Sequence, residues 1–398
     1  MAKSNITALD GAHAVANAMR QINPDLVAAY PITPQTAIVQ TFSQYVADGV
    51  VDTEFVPVES EHAAMSCCVG ASAAGGRVMT ATAANGLALM WEIVYIAASM
   101  RLPIVMPVVN RALSGPLNIH CDHSDSMGAR DAGWIQIYAE SAQEAYDNTI
   151  QAIRIAEHPD LLTPVMSMLD GFITGHGVER VETVDDQAVR DFVGTYKPAH
   201  TLLDVDNPAT YGAWDFYDFY FEHKRQQSDA LSKAIPIIRE IGAEYGKLTG
   251  RTYGILDTYE MEDAEMAIIV LSSSAGTARA TVRRLRKKGV KIGLVKPRVF
   301  RPFPTEELTD VLQNVSAVGV MDRAIAFGSM NGCGPLFLDI CAALFAAGNH
   351  NTKVVDYIFG LGGRDLVPAH IEQIAKDLQS IASTGEVKQL VNYLGLRE

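Results

Sequence analysis

A glutamate at a helix start, an arginine at a strand end and a threonine between two prolines are the side chains of this sequence best placed to do chemistry: Glu61, Arg111 and Thr33. Ser60-Glu61-His62-Ala63-Ala64-Met65 opens a helix rich in small residues. The Glu61 carboxylate therefore meets the positive end of the helix dipole, and Ser60 can cap the same turn. A plain first-turn glutamate would look the same, and Glu59 competes for the role. Arg111 directly follows the apolar run Pro103 to Asn110. That places a guanidinium at the carboxyl end of a sheet, the face on which open α/β sheets hold ligands. Arginine grips a carboxylate with two parallel hydrogen bonds. A surface ion pair with one of the 46 acidic residues is the competing reading. Thr33 lies in Tyr30-Pro31-Ile32-Thr33-Pro34. A residue before proline is pushed out of the α region, so Tyr30 and Thr33 are both expected to be extended and the corner stiff. Pro34 suits the first helical position and Thr33 the N-cap. A cap alone would also account for Thr33.

Other groupings point to less. His120-Cys121-Asp122-His123-Ser124-Asp125 gathers metal-ligand types on a loop without the spacing of zinc sites, and reads as a polar loop near a substrate or cofactor, with no metal. Five cysteines form no even framework and no C-x-x-C pair. That favours a reducing compartment and disfavours zinc or an iron–sulfur cluster held by this chain alone. No apolar leader follows Met1, so a cytoplasmic location is expected. The net charge is −14, and the densest basic run, Arg283 to Lys288, falls late in a helical pattern. Nucleic-acid binding is disfavoured. The apolar stretch Met79 to Met100 is interrupted by Asn85-Gly86 and Glu92, so strand, turn and buried helix are expected rather than a membrane span. No nucleophile–base pair is apparent.

The elements that must hold these residues follow from pattern. Ala8 to Asn23 reads as a helix, Leu26 to Ala29 as a strand, and a helix is expected from Pro34. Strands and helices then alternate to Leu169, with a helix of almost wholly apolar surface, hence expected to be buried, from Gly86 to Met100. Such alternation specifies a doubly wound α/β domain. Tyr211 to Phe221 is dense in aromatics without a clean period and reads as an arm packed on a neighbouring surface. Ser228 to Tyr245 is helical, with Pro236 expected to kink it. A second run of alternating strands and helices begins at Ala264. The turns Ser272–Thr277 and Gly360–Gly363 lack the phosphate-loop and dinucleotide patterns and read as ordinary loops. The expected division is 1–195, a connecting arm and helix at 196–260, and 261–398.

In order along the chain stand Tyr30-Pro31-Ile32-Thr33-Pro34, Ser60-Glu61, Asn85-Gly86-Leu87-Ala88-Leu89-Met90, Arg101-Leu102-Pro103-Ile104-Val105, Asn110-Arg111-Ala112-Leu113-Ser114 and Asp122-His123-Ser124-Asp125. Together they closely resemble the alpha subunit of the 2-oxoacid:ferredoxin oxidoreductases, most of all pyruvate:ferredoxin oxidoreductase. The resemblance runs through Arg301-Pro302-Phe303-Pro304 in the second domain. It implies a pyrimidine-binding domain of the thiamine-enzyme type followed by a smaller transketolase C-terminal-like domain. It also implies oxidative decarboxylation of a 2-oxoacid with coenzyme A, the electrons passing to ferredoxin.

By the same resemblance Glu61 would hydrogen-bond the aminopyrimidine of thiamine diphosphate, Pro31 would lie against that ring, Thr33 would contact the 2-oxoacid, and Arg111 its carboxylate. The diphosphate-and-magnesium motif is not found, since Leu169-Asp170-Gly171 is not it, and the cysteine motifs for clusters are missing. Magnesium and iron–sulfur clusters are thus expected on beta, gamma and delta-type partner subunits, with the cofactor held at an interface. Thr33 and Arg111 would recognise features common to all 2-oxoacids. An aryl or branched acid such as phenylglyoxylate, NAD as final acceptor, or a non-catalytic scaffold are the alternatives.

Overall fold

Short runs of valine, methionine and alanine with no exposed member build the middle of the first sheet, as strands covered on both faces require. The computed structural model describes residues 3–397. The chain begins with β1 (Ser4–Leu9), α1 (Gly11–Ile22), β2 (Leu26–Ala29), α2 (Thr36–Ala47), β3 (Glu54–Pro57), α3 (Glu61–Ala73) and β4 (Val78–Met79). It continues through α4 (Ala84–Leu89), α5 (Trp91–Ser99), β5 (Val105–Asn110), α6 (Ser124–Gly128), β6 (Ile135–Tyr138), α7 (Ala142–Ala156) and β7 (Val165–Asp170). All six residues of β5 and of β7 are buried. Five of these strands run in parallel in the order β6-β7-β5-β4-β2, with β3 parallel at one edge. Helices α1 and α7 pack together on one face, and α3 and α5 on the other. This is the doubly wound arrangement expected from the alternation.

After β7 come β8 (Glu179–Val184), α8 (Asp186–Val193), α9 (Tyr220–Ser232) and α10 (Ala234–Thr249). The second repeat comprises β9 (Leu256–Tyr259), β10 (Met266–Val270), α11 (Ser274–Arg286), β11 (Ile292–Pro297), β12 (Val299–Arg301), α12 (Thr305–Leu312) and β13 (Ala317–Asp322), then α13 (Pro335–Ala346), β14 (Lys353–Ile358), α14 (Pro368–Thr384) and β15 (Val391–Tyr393). Its sheet runs β15-β14-β13-β10-β11-β9, parallel except for β9. Strand β12 leaves that sheet and pairs antiparallel with β6, at the edge of the first one. One apolar core continues between the two sheets, joining Met106 and Tyr138 to Phe300 and Phe337.

Several expectations need correction. The first helix starts at Gly11, because the preceding residues form β1 and pair with β8, a distant strand with no local signal. Helix α2 starts at Thr36 rather than Pro34, and Gln35 stands at its N-cap position. The Gln35 side chain closes the corner instead: its Oε1 accepts from Ile32 N at 3.2 Å and its Nε2 donates to Ala81 O at 2.8 Å. The helix expected from Gly86 to Met100 is two helices that join at Met90. It is not wholly buried either. Val94, Ala97 and Ala98 face the core, while Leu89, Trp91 and Ile96 face outward at 54%, 42% and 37% exposure. Pro236 does not kink a helix; it sits in the first turn of α10, where a missing N–H costs nothing. The helix break falls earlier, at Lys233.

The aromatic arm is bare. Tyr211 ties back through its hydroxyl to His200 O, but Trp214 and Tyr217 are 86% and 93% exposed and Phe216, Phe219 and Phe221 are exposed with them. Among the described residues no helix is long and apolar enough to cross a membrane. All five cysteines are free.

Candidate active site

The carboxyl ends of β2, β5 and β7 meet the N-termini of α3 and α4, and Thr33, Glu61 and Arg111 all lie there. Ser60, in extended backbone, accepts from Ala63 N through its Oγ at 3.2 Å and so starts α3 at Glu61. Glu61 is only 5% exposed. Among the described residues no other residue hydrogen-bonds to its carboxylate. Burial pushes the carboxyl above the ordinary range, against a smaller pull from its own backbone N–H. The Glu61 side chain lies on Gly86 of α4. A Cβ at Gly86 would stand 2.6 Å from Glu61 Oε1 and 2.5 Å from Thr82 Oγ1. The Thr82 hydroxyl is itself buried and unpartnered. The glycine leaves room for an acid to reach a polar, water-poor recess. Glu59, the competing carboxylate, is exposed.

Arg111 is buried, and it has no carboxylate partner within 4.0 Å among the described residues. The ion-pair alternative for this residue therefore falls away. Its Nη1 donates to Thr33 O at 2.8 Å and its Nε to Asn118 O at 3.1 Å, which leaves the remaining edge of the guanidinium free. Thr33 thus meets Arg111 through its carbonyl and does not cap α2; its side chain faces solvent. Pro34 packs against Gly171, where a Cβ would stand 2.8 Å from Pro34 Cγ and 2.5 Å from Asn110 O. Pro31 is exposed at the same corner. The structure brings the proline corner and the arginine together directly, and the glutamate to them through α4.

The polar loop carries more than the sequence indicated. Asp125 in α6 is 3% exposed and accepts four N–H bonds: Ala84 N and Arg111 N on Oδ2, both at 3.0 Å, and Asn110 Nδ2 at 2.9 Å and Ser126 N at 2.7 Å on Oδ1. Burial pushes its carboxyl up to about 6 against those bonds. His123 Nε2 lies 2.8 Å from Asp170 Oδ1, Arg323 of the second repeat donates to Asp170 Oδ2 at 3.0 Å, and the Ser273 hydroxyl reaches the same oxygen. Burial alone would raise the Asp170 carboxyl, yet His123 and Arg323 hold it well below the usual carboxylate range. Ligand atoms of Cys121, His123 and Asp170 fall within 4.8 Å of one another. Asp170 is engaged at the same time by a histidine, an arginine and a serine, and the last two tie it to the second repeat.

The two turns read as ordinary loops find their partners here. Ser272 donates to Ala139 O, and the second repeat's Gly362 takes Asn118 Nδ2 on its carbonyl at 3.1 Å and donates its N–H to Asp122 Oδ2 at 3.2 Å. The second repeat therefore buttresses the loop that carries Arg111. Gln35 and Arg323 were not singled out from sequence, and Gly86 and Asp125 stood there only within motifs, without roles of their own. Asp125, in the first turn of a short helix 14 positions past the strand-end arginine, carried a readable signal. Arg323 carried none, since its partner is 153 positions away.

Comparison with known proteins agrees with this geometry. Residues 17–243 match the family described as pyruvate flavodoxin/ferredoxin oxidoreductase, thiamine diphosphate-binding. Residues 264–371 match the pyruvate:ferredoxin oxidoreductase core domain II. The chain is 55% identical to pyruvate synthase subunit PorA of Thermotoga maritima, covering 98% of both. It is 42% identical to the subunit of the same name from Methanocaldococcus jannaschii, covering 99% of this chain and 98% of that one. It is 40% identical to ketoisovalerate oxidoreductase subunit VorA of Pyrococcus horikoshii, covering 98% of both. Among solved structures, the 2-oxoglutarate:ferredoxin oxidoreductase of Magnetococcus marinus superposes with a TM-score of 0.71 at 19% identity, over 95% of this chain and 65% of that one. A split-gene transketolase superposes with a TM-score of 0.57 at 12% identity, over 94% of this chain and all of that one. These two likenesses concern the fold.

Proposed function

We propose, for a chain that belongs to the pyruvate:ferredoxin oxidoreductase family as its alpha subunit, that it supplies the pyrimidine-side half of a thiamine diphosphate site for the oxidative decarboxylation of pyruvate with coenzyme A. The observation that carries this reading is the pair formed by an unpartnered buried glutamate on Gly86 and an arginine with one free edge, at the carboxyl ends of one parallel sheet. The residues present fit the group. A buried acid without a protein donor suits a ring nitrogen, and the recess that Gly86 leaves open is polar through Thr82.

When bound, thiamine diphosphate supplies a carbon nucleophile and an electron sink for loss of carbon dioxide. Glu61 would hydrogen-bond the aminopyrimidine ring and hold or release a proton at its carboxyl. Its raised proton affinity brings the carboxyl nearer to working pH, as general acid–base work needs. Pro31 would lie against the ring. Arg111 orients the 2-oxoacid by its carboxylate, and Thr33 contacts the same substrate beside it.

The diphosphate, its magnesium and the iron–sulfur clusters belong in this reading to beta, gamma and delta-type partners, and ferredoxin is reached through them. We place the domain borders at residues 195 and 260, and we read the bare aromatic arm Tyr211–Phe221 as a contact with one of those subunits. The 40% identity to a ketoisovalerate enzyme supports a branched acid as the second substrate reading. The test is the purified complex, assayed for acceptor reduction with coenzyme A and pyruvate, 2-oxoisovalerate or phenylglyoxylate. Pyruvate is expected to give the highest kcat/KM. A higher value on either of the others would move the assignment to that acid, and thiamine-independent turnover would refute it.

A further inference from the structure

We infer that Asp125 is the positioning residue that sets Glu61 and Arg111 in register with each other. The inference rests on the site reading above and adds to it. One oxygen of Asp125 accepts both from Arg111 N and from Ala84 N, at 3.0 Å each. Ala84 opens α4 with a φ of +40°, a strained value for a residue with a Cβ, and such strain persists only where the surroundings enforce it. Two residues further on, Gly86 forms the floor on which the Glu61 carboxylate rests. On the other side, Arg111 runs from the same oxygen to its contact with Thr33 O. A single carboxylate thus bonds the backbone under both functional side chains, just beyond the Thr82–Val108 bridge where the two neighbouring segments part. The other oxygen, held by Asn110 Nδ2 and Ser126 N, anchors it to β5 and α6.

An asparagine cannot replace it. Four donors converge, and an amide offers one acceptor oxygen, so its nitrogen would face two N–H groups on one side or the other. Asp125 is buried behind the site and touches neither substrate nor cofactor in this reading; it acts through Arg111 and α4.

The test compares variants in the assembled complex, measuring thiamine diphosphate affinity, KM for the 2-oxoacid, KM for coenzyme A and melting temperature. Asp125→Asn is expected to weaken cofactor affinity and to raise the 2-oxoacid KM by roughly 10-fold or more each, since displacements of about 1 Å can cost ~100-fold. The KM for coenzyme A should stay within about 3-fold, as no step in this argument reaches it. Asp147→Asn serves as the structural comparison. Asp147 is equally buried and is bonded by Tyr245, Tyr253 and Arg251 away from the site. It should lower the melting temperature and move neither constant. Where Asp125→Asn does not assemble, Asn110→Ala removes one of the four donors and should move the same two constants by a smaller factor. The inference is overturned if Asp125→Asn or Asn110→Ala lowers only the melting temperature, as Asp147→Asn does. Glu61→Gln and Arg111→Ala measured alongside separate the two failures. If they leave both constants unmoved, the site reading itself is wrong; if they move them and the Asp125 variant does not, only this inference falls.

Discussion

Arg111 shows how little of a residue's role depends on its charge alone. Two of its N–H groups hold backbone carbonyls of Thr33 and Asn118, which fixes the side chain for the carboxylate role we propose. A guanidinium held in one geometry loses little entropy on binding a planar carboxylate. Arg111→Ala is therefore expected to cost about 2–5 kcal/mol of substrate binding, read as a KM for the 2-oxoacid raised 30-fold or more, with the KM for coenzyme A nearly unchanged. Equal effects on both would refute the carboxylate role. Glu61 and Arg111 were legible in the sequence because each sits at an element boundary, where the adjoining strand or helix fixes the direction of the side chain. Thr33 was legible as a position but not as a cap. The cap reading failed because Gln35, a residue with no special signal, reaches Ala81 O and closes the turn itself.

At the scale of elements, α4 matters out of proportion to its length. Its six residues hold a strained Ala84, the glycine beneath Glu61 and the outward Leu89. Gly86→Ala improves helix propensity by up to about 1 kcal/mol, yet its Cβ would meet the Glu61 carboxylate. The expected outcome is a lowered melting temperature, since the Cβ also crowds the buried Thr82 hydroxyl, with cofactor affinity and turnover both reduced about 10-fold or more. Normal turnover in that variant would mean that Glu61 does not need its place on α4. The strands of the first sheet were readable as buried runs. Strands β1, β8 and β12 were not, because each is stabilised by pairing with a partner far away in sequence, and a three-residue strand such as β12 has no period to detect. The exposed side of α5 escaped notice for a related reason: an apolar helix face predicts burial, and the sequence does not say in which chain the covering surface lies.

Across the whole molecule, the second repeat acts on the site at a distance. Arg323 holds Asp170 from below, Ser273 holds it from the side, and Gly362 supports the loop between Arg111 and Asp122. Removing one member of a buried ion pair leaves the other uncompensated, so Arg323→Ala should lower stability by about 3 kcal/mol. The sign with pH follows from the depressed Asp170 carboxyl. Its stabilisation is present above the ordinary carboxylate value of about 4 and is lost as pH falls below it. The gap in unfolding free energy between the native protein and Arg323→Ala should hold from neutral pH down to about 5, begin to narrow below about 4, and close only as pH falls through the depressed Asp170 value. A gap independent of pH would show that Asp170 is not the group concerned. The central claim is that this chain brings half of a thiamine diphosphate site to a 2-oxoacid oxidoreductase, with Glu61 as its working acid. It is tested most directly by reconstituting the complex with Glu61→Gln and measuring cofactor occupancy together with pyruvate- and coenzyme A-dependent acceptor reduction. The expected result is intact assembly with turnover reduced by about 100-fold or more, within the range that positioned acid–base groups contribute. Near-normal turnover at full cofactor occupancy would contradict it.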